Sequence, residues 1–248
     1  MKAIKTIAVA SLLTACTAVT ETPQPAPAPT GDPGMPMVRG DVAVVEGAAK
    51  GAATCADVVA ADPAAADGDY TLYLGGDRSK PWQAYCADMA KTPVEYLPLV
   101  MLLGDHNFSQ YTAGGSAPGT NVRTSYMRVR IDPATLKIDI GDQRFATSTG
   151  GLDHPGDIAV TSMPFGIAMS CGSTDGLANI DLTGTPFAIA EGFAAHGAGG
   201  HGQAAMDVAQ RVAVIEGGGY CGWVSTADAP FNPYNAAHAW AIQLGYAP

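Results

Sequence analysis

The chain reads as mainly β with a minor α+β share: antiparallel sheets, short helices and two disulfides. Three observations lead there. From Thr54 onward the apolar stretches are short and are interrupted by Gly, Pro, Asp and Asn. The clearest of them alternate with period two, the spacing of a half-buried strand. Cys55, Cys86, Cys171 and Cys221 are spread through this region, and an even cysteine count in an exported domain reads as two disulfides.

The elements follow in chain order. Residues 1–15 read as an export signal: Lys2 and Lys5 form a positive start, and Ile7 to Leu13 is an apolar run too short to span a bilayer. The run ends in Leu13-Thr14-Ala15-Cys16, which resembles a bacterial lipobox. In such signals cleavage precedes the cysteine and its thiol is acylated, so Cys16 is the expected lipid attachment. Several acyl chains on one residue give stable anchoring. Thr17 stands where an Asp would resemble an inner-membrane retention signal, which favours the outer membrane. Residues 16–37 are a proline-rich tether that lacks the large apolar side chains of a core. As extended polyproline II, 21 such residues reach roughly 65 Å. Residues 38–53, rich in Ala, Gly and Val, are a linker or a first strand. Residues 54–248 are the folded domain.

Within that domain, Cys55 to Ala61 predicts one or two helical turns closed by Asp62-Pro63, because the residue before proline resists the helical region. Asp69 to Leu74 and Trp82 to Cys86 predict a hairpin around Gly75-Gly76-Asp77. Ser125 to Ile131 predicts one alternating strand, and Asp132-Pro133 turns it into a second over Leu136 to Ile140. Further strands are expected at Phe165 to Cys171, Leu177 to Leu182, Phe187 to Ala190, Val212 to Glu216 and Ala239 to Tyr246. Gln203 to Gln210 predicts a second short helix. Trp82, Tyr85, Trp223 and Trp240 fall on strand candidates, where core packing is their default role.

Composition narrows the function. The chain has 13 basic and 23 acidic residues in 248, and losing the leader removes Lys2 and Lys5 but no acid, taking the formal charge from −10 to −12. That argues against a nucleic-acid partner, which needs a basic footprint, and against a polybasic membrane patch. With 30 Gly, 18 Pro and only 15% charged residues, the chain is not a coiled coil.

Four cysteines permit three connectivities, of which Cys55–Cys86 with Cys171–Cys221 is the most local. A zinc site made by these thiols lacks the CxxC spacing that usually marks one. Gly197 to Gly202 matches GxGxxG but has neither the parallel βαβ context nor the downstream acid of a dinucleotide site, so it reads as a glycine-rich loop. His196 and His201 flank this loop and are the candidate pair for a metal, although no HExxH or third ligand accompanies them. His106 falls in a turn, His154 in a loop before Pro155, and His238 before the last strand. There is no GxSxG elbow, and Asp139 with Asp142 reads as a solvated strand end rather than an acid pair. Asn107-Phe108-Ser109 is a formal glycosylation sequon.

Several segments taken in order resemble a known module. They are Thr54-Cys55-Ala56-Asp57-Val58, Gly68-Asp69-Tyr70-Thr71-Leu72, Tyr85-Cys86-Ala87-Asp88-Met89, Pro93-Val94-Glu95-Tyr96-Leu97, Asn107-Phe108-Ser109, Arg128 to Asp132, Phe145-Ala146-Thr147, Gly184 to Phe187, and Gly218-Gly219-Tyr220-Cys221-Gly222. This set is similar to the GON domain, the C-terminal module of ADAMTS-type secreted zinc metalloproteases, from about Thr54 to Tyr246. The motif positions are Tyr70, Tyr85, Met89, Tyr96, Tyr220 and Gly222. The opening also resembles the start of fibrinogen C-terminal domains, where the corresponding cysteines pair, and this supports Cys55–Cys86. Gly217 and Trp223-Val224 stand where the animal GON motif carries further cysteines.

The resemblance implies an ancillary, non-catalytic module. The protease label belongs to a different domain of those enzymes, and their HExxH is absent here. The expectation is therefore an exported, lipid-anchored binding module for a protein or glycan, with no cofactor. A zinc-dependent hydrolase built on His196 and His201 is the alternative.

Overall fold

The computed structural model describes residues 50–102, 104–112, 121–155, 158–197, 199–226 and 241–248. The expected leader, Cys16, the tether, residues 38–49, Ala198, His238 and Trp240 lie outside these. No helix among the described residues is long and apolar enough to cross a membrane.

Helix α1, Cys55–Ala61, forms where expected and is capped at both ends. The Asp57 N–H donates to Thr54 Oγ1 at 3.1 Å, and the Thr54 N–H donates to Asp57 Oδ2 at 3.0 Å. This reciprocal capping box satisfies donors that the first turn leaves unpaired. The helix stops at Asp62, before Pro63. Its first residue is tied down twice: Cys55 is disulfide-bonded to Cys86, and its N–H donates to Glu95 Oε1 at 2.7 Å.

Eighteen strands are described. The first nine are β1 Gly68–Tyr73, β2 Pro81–Ala87, β3 Val94–Pro98, β4 Phe108–Thr112, β5 Asn121–Tyr126, β6 Arg128–Asp132, β7 Lys137–Asp139, β8 Ala146–Gly150 and β9 Leu152–His154. The rest are β10 Ile158–Val160, β11 Ala168–Ser170, β12 Gly176–Asp181, β13 Phe187–Ile189, β14 Phe193–His196, β15 His201–Met206, β16 Val212–Gly218, β17 Gly222–Thr226 and β18 Ala241–Tyr246.

A seven-stranded antiparallel sheet runs β1-β2-β3-β6-β7-β18-β13. A nine-stranded sheet runs β14-β17-β11-β4-β12-β16-β15, with β5 beside β4 and β8 beside β5. β9 and β10 form a separate hairpin. Among the described residues all strand pairings are antiparallel except β11 with β4. β12 and β11 share one edge of β4: Phe108 and Ser109 pair with β12, and Gln110 to Thr112 pair with β11.

The two sheets enclose one apolar core. Gly166 lies between them at φ +73°, where a Cβ would come within 2.8 Å of Ile180 Cδ1 on β12 and 2.9 Å of Ile242 Cδ1 on β18. Glycine is required there by both backbone conformation and space. Edge-to-face aromatic pairs, Trp82 with Phe187 at 5.6 Å and Tyr126 with Phe165 at 5.0 Å, fill the core further. Both expected disulfides are present, Cys55–Cys86 and Cys171–Cys221.

Three expectations are corrected. Ser125 to Ile131 is not one strand: Tyr126 ends β5 in the nine-stranded sheet and Arg128 begins β6 in the seven-stranded one. Met127 makes the crossing, its N–H donating to Phe145 O and its carbonyl accepting from Leu99 N–H, both at 3.0 Å. Gln203 to Gln210 is not helical. Its first four residues belong to β15, paired in full with β16, and Asp207 begins a turn whose side chain accepts from the N–H groups of Arg211 and Val212 at 2.7 and 2.9 Å. Those backbone donors hold the Asp207 carboxyl below its ordinary pKa. His154 is not in a loop but ends β9 and is 3% exposed.

Candidate functional site

The motif positions fall into two regions. In the first, on and beside the seven-stranded sheet, Tyr70 Oη donates to Ala66 O at 2.7 Å, and buried Met89 is held by its N–H on Asp67 Oδ1 at 2.9 Å. Tyr85 and Tyr96 stand opposite each other on β2 and β3 and both meet the edge of Phe145, at 5.3 and 4.7 Å. The Arg128 guanidinium lies 4.1 Å over the Tyr85 ring, a cation–π contact. Tyr96 Oη donates to Asp142 Oδ2 at 2.9 Å, and burial beside that carboxylate pushes its hydroxyl pKa up to about 12. Tyr70, Tyr85, Met89 and Tyr96 thus secure packing.

A concavity of about 650 Å³ lies close by, lined by Glu95, Arg130, Asp132, Lys137 and Asp139 among others. Burial raises the Glu95 carboxyl pKa, against the pull of the Cys55 N–H. Opposite charges face each other in register across β6 and β7, Arg130 with Asp139 and Asp132 with Lys137, while the Arg130 guanidinium lies 3.8 Å from Asp142 and Asp132 accepts from Thr135 Oγ1 at 2.9 Å.

The second region surrounds Cys171–Cys221. A pocket of about 390 Å³ opens there, lined by Cys171, Gly172, Ser173, Gly199, His201, Gly219 and Tyr220. The local sequence explains its shape. Gly219 and Cys221 adopt positive φ, 119° and 60°, so the chain reverses between β16 and β17 in very few residues. Gly222 must be glycine, because a Cβ would meet Gly218 O at 2.4 Å and Gly200 Cα at 2.5 Å. The tight reversal turns Tyr220 outward, where it is 85% exposed. On the rim, His201 Nε2 lies 2.8 Å from Asp175 Oδ1.

Behind the disulfide lies a buried polar pair. Tyr111 Oη is 2.6 Å from His154 Nδ1 and 2.7 Å from Cys171 Sγ. His154 Nδ1 is 4.0 Å from Cys171 Sγ. Burial pushes the His154 pKa below its ordinary value, so the ring is neutral near pH 7. Among the described residues, one set of three metal-ligating side chains has its ligand atoms within 4.8 Å of one another: His154, Cys171 and Cys221.

His196 and His201 have separate engagements. His196 stacks on Trp223 at 5.7 Å, and His201 turns to Asp175. Neither joins that three-residue set. Tyr111, His154 and Asp175 were missed as site residues in the sequence. His154 precedes a proline and Asp175 sits among Ser, Thr and Gly, contexts that resemble any surface loop. The one available signal was the Cys171–Cys221 pairing, which marks where neighbours should be sought.

No curated protein and no solved structure matches the chain. Residues 114–229 match the family model described as the GON domain, a segment that contains Cys171–Cys221, Tyr220 and Gly222. Over residues 114–229 the chain is similar to the GON domain.

Proposed function

We propose that this chain is an exported binding module, held to the cell envelope by lipid on Cys16 and engaging a protein or glycan through the pocket above Cys171–Cys221. The GON domain supports the coarser part of this reading, an extracellular interaction module. The observation that carries the finer part is Tyr220. A large amphipathic side chain projects almost fully into solvent beside a pocket with polar groups from Ser173 and from His201, which Asp175 holds at 2.8 Å. Exposed tyrosines of this kind bury much area at low entropic cost when a partner arrives. The pocket volume lies within the range of small-ligand sites, about 300–1,000 Å³.

Two experiments test the reading. Replacing Cys16 with Ser should move the protein from the membrane fraction to the soluble one; full retention contradicts lipid as the anchor. The purified, labelled protein should bind members of an array of extracellular proteins and glycans. An array on which it binds nothing above an unrelated acidic control contradicts the binding-module assignment.

A further inference from the structure

We propose that Cys171–Cys221 is the oxidised, closed form of a metal site for a thiophilic divalent cation of the Zn²⁺ type, with His154 as the third ligand. This does not depend on the binding-module reading. Three features meet at one place. The two sulfurs and His154 Nδ1 lie within 4.8 Å of one another. The 4.0 Å between His154 Nδ1 and Cys171 Sγ is close to the ~3.6 Å that tetrahedral zinc sets between a nitrogen and a thiolate ligand. His154 ends β9 and is 3% exposed, so its ring is held in place behind the two sulfurs. Access is provided as well, since Cys171 lines the open pocket and both cysteines are only half-buried. The other disulfide joins two fully buried cysteines, so a reductant reaches Cys171–Cys221 first.

The chemistry balances with an external dithiol. It gives two electrons and two protons to the S–S bond and becomes a disulfide, while Cys171 and Cys221 become thiols. The freed sulfurs move apart to the ~3.8 Å needed between two tetrahedral ligands. Zn²⁺ then displaces one proton from each thiol to solvent and takes the Nδ1 lone pair of His154. The Tyr111 hydroxyl, which lies between Nδ1 and Cys171 Sγ in the oxidised form, gives up its contact with Nδ1 as the cation takes that lone pair. Three protein ligands leave a fourth position for water from the pocket.

The full-length protein is the material for the test. It is treated with a phosphine reductant, which is not a thiol ligand, and titrated with Zn²⁺ against a chromophoric chelator, with Co²⁺ as the spectroscopic probe. The oxidised protein should bind no stoichiometric Zn²⁺. The reduced protein should bind about one per chain, show thiolate-to-cobalt charge-transfer bands, and melt at a higher temperature with Zn²⁺ than without. His154→Ala should weaken binding about tenfold or more. Any of three results overturns the proposal: equal binding before and after reduction, binding that survives in a Cys171→Ser, Cys221→Ser variant, or loss of the fold on reduction, because the site requires β9 and β11 in place. Unchanged affinity in His154→Ala removes the third ligand and overturns it too.

Discussion

The Asn107 side chain bonds the backbone of Asp181 twice: Nδ2 donates to the Asp181 carbonyl at 2.9 Å, and Oδ1 accepts from its N–H at 2.8 Å. The side chain thus acts as one more rung between β4 and β12, just past the point where their backbones stop pairing. Asn107 is fully buried and sits at φ 49°, a left-handed conformation that asparagine tolerates better than most residues. The sequon asparagine is therefore structural and inaccessible in the folded domain.

Asn107→Ala would leave the Asp181 N–H and carbonyl unpaired in the interior and place alanine at a positive φ. Buried unpaired groups cost about 1–3 kcal/mol each, so a loss of about 3 kcal/mol is expected. Urea unfolding should show a lower midpoint with an unchanged slope. A loss under about 1 kcal/mol would mean that the pairing contributes little.

Gly166→Ala tests the contact between the sheets. Strain at positive φ and overlap with Ile180 and Ile242 should together cost about 2–4 kcal/mol. Thermal melts would read this as a large fall in midpoint, and an unchanged midpoint would show that the core has slack at this position.

Tyr96 predicts an alkaline limb in the stability profile. Its folded pKa is raised to about 12 against an ordinary value of 10.0. A raised pKa gives stability that is full below the unfolded value and is lost as pH rises through the folded one, so the window is pH 10 to 12. Tyr96→Phe should remove about one proton from the pH dependence there, a slope of about 1.4 kcal/mol per pH unit. Denaturant melts across that window would check it, and an unchanged slope would contradict the link to Asp142. Burial also raises the Tyr126 pKa, and that contribution should persist in the variant.

Removing Cys55–Cys86 by a double Ala substitution should destabilise the domain by about 4 kcal/mol, on the chain-entropy account of a loop spanning 31 positions. Differential scanning calorimetry would measure it. Thr54→Ala should cost only about 1 kcal/mol, because a cap satisfies one donor whereas a cross-link restricts the whole unfolded chain.

Local signals made much of the fold legible. Asp62-Pro63 announces the end of α1, and the Gly75-Gly76-Asp77 turn the first hairpin. What escaped was decided by partners distant in sequence. The inward positions shift phase at Met127, from Val122, Thr124 and Tyr126 on β5 to Val129 and Ile131 on β6, but the adjacent apolar pair Tyr126-Met127 fits either phase, so the sequence does not show that the two strands belong to different sheets. Gln203 to Met206 carries helix-forming residues, yet full pairing with β16 overrides that weak preference. β3 and β4 went unread because their inward and outward positions do not alternate cleanly. At the candidate site, Tyr220, Gly222 and His201 were visible as motif and candidate residues. The Tyr111–His154 pair was not, since it forms only when β9 folds against β4 behind the disulfide.

Affinity measurements decide whether the partner binds above Cys171–Cys221 or at the charged concavity around Arg130. The best array ligand should be titrated against the wild type, Tyr220→Ala and Arg130→Ala by biolayer interferometry. Tyr220→Ala should weaken binding about tenfold or more while Arg130→Ala leaves it within about twofold, since exposed tyrosine anchors carry about 1–2 kcal/mol or more. The reverse pattern, with Arg130→Ala abolishing binding and Tyr220→Ala neutral, would contradict it and move the site to the seven-stranded sheet.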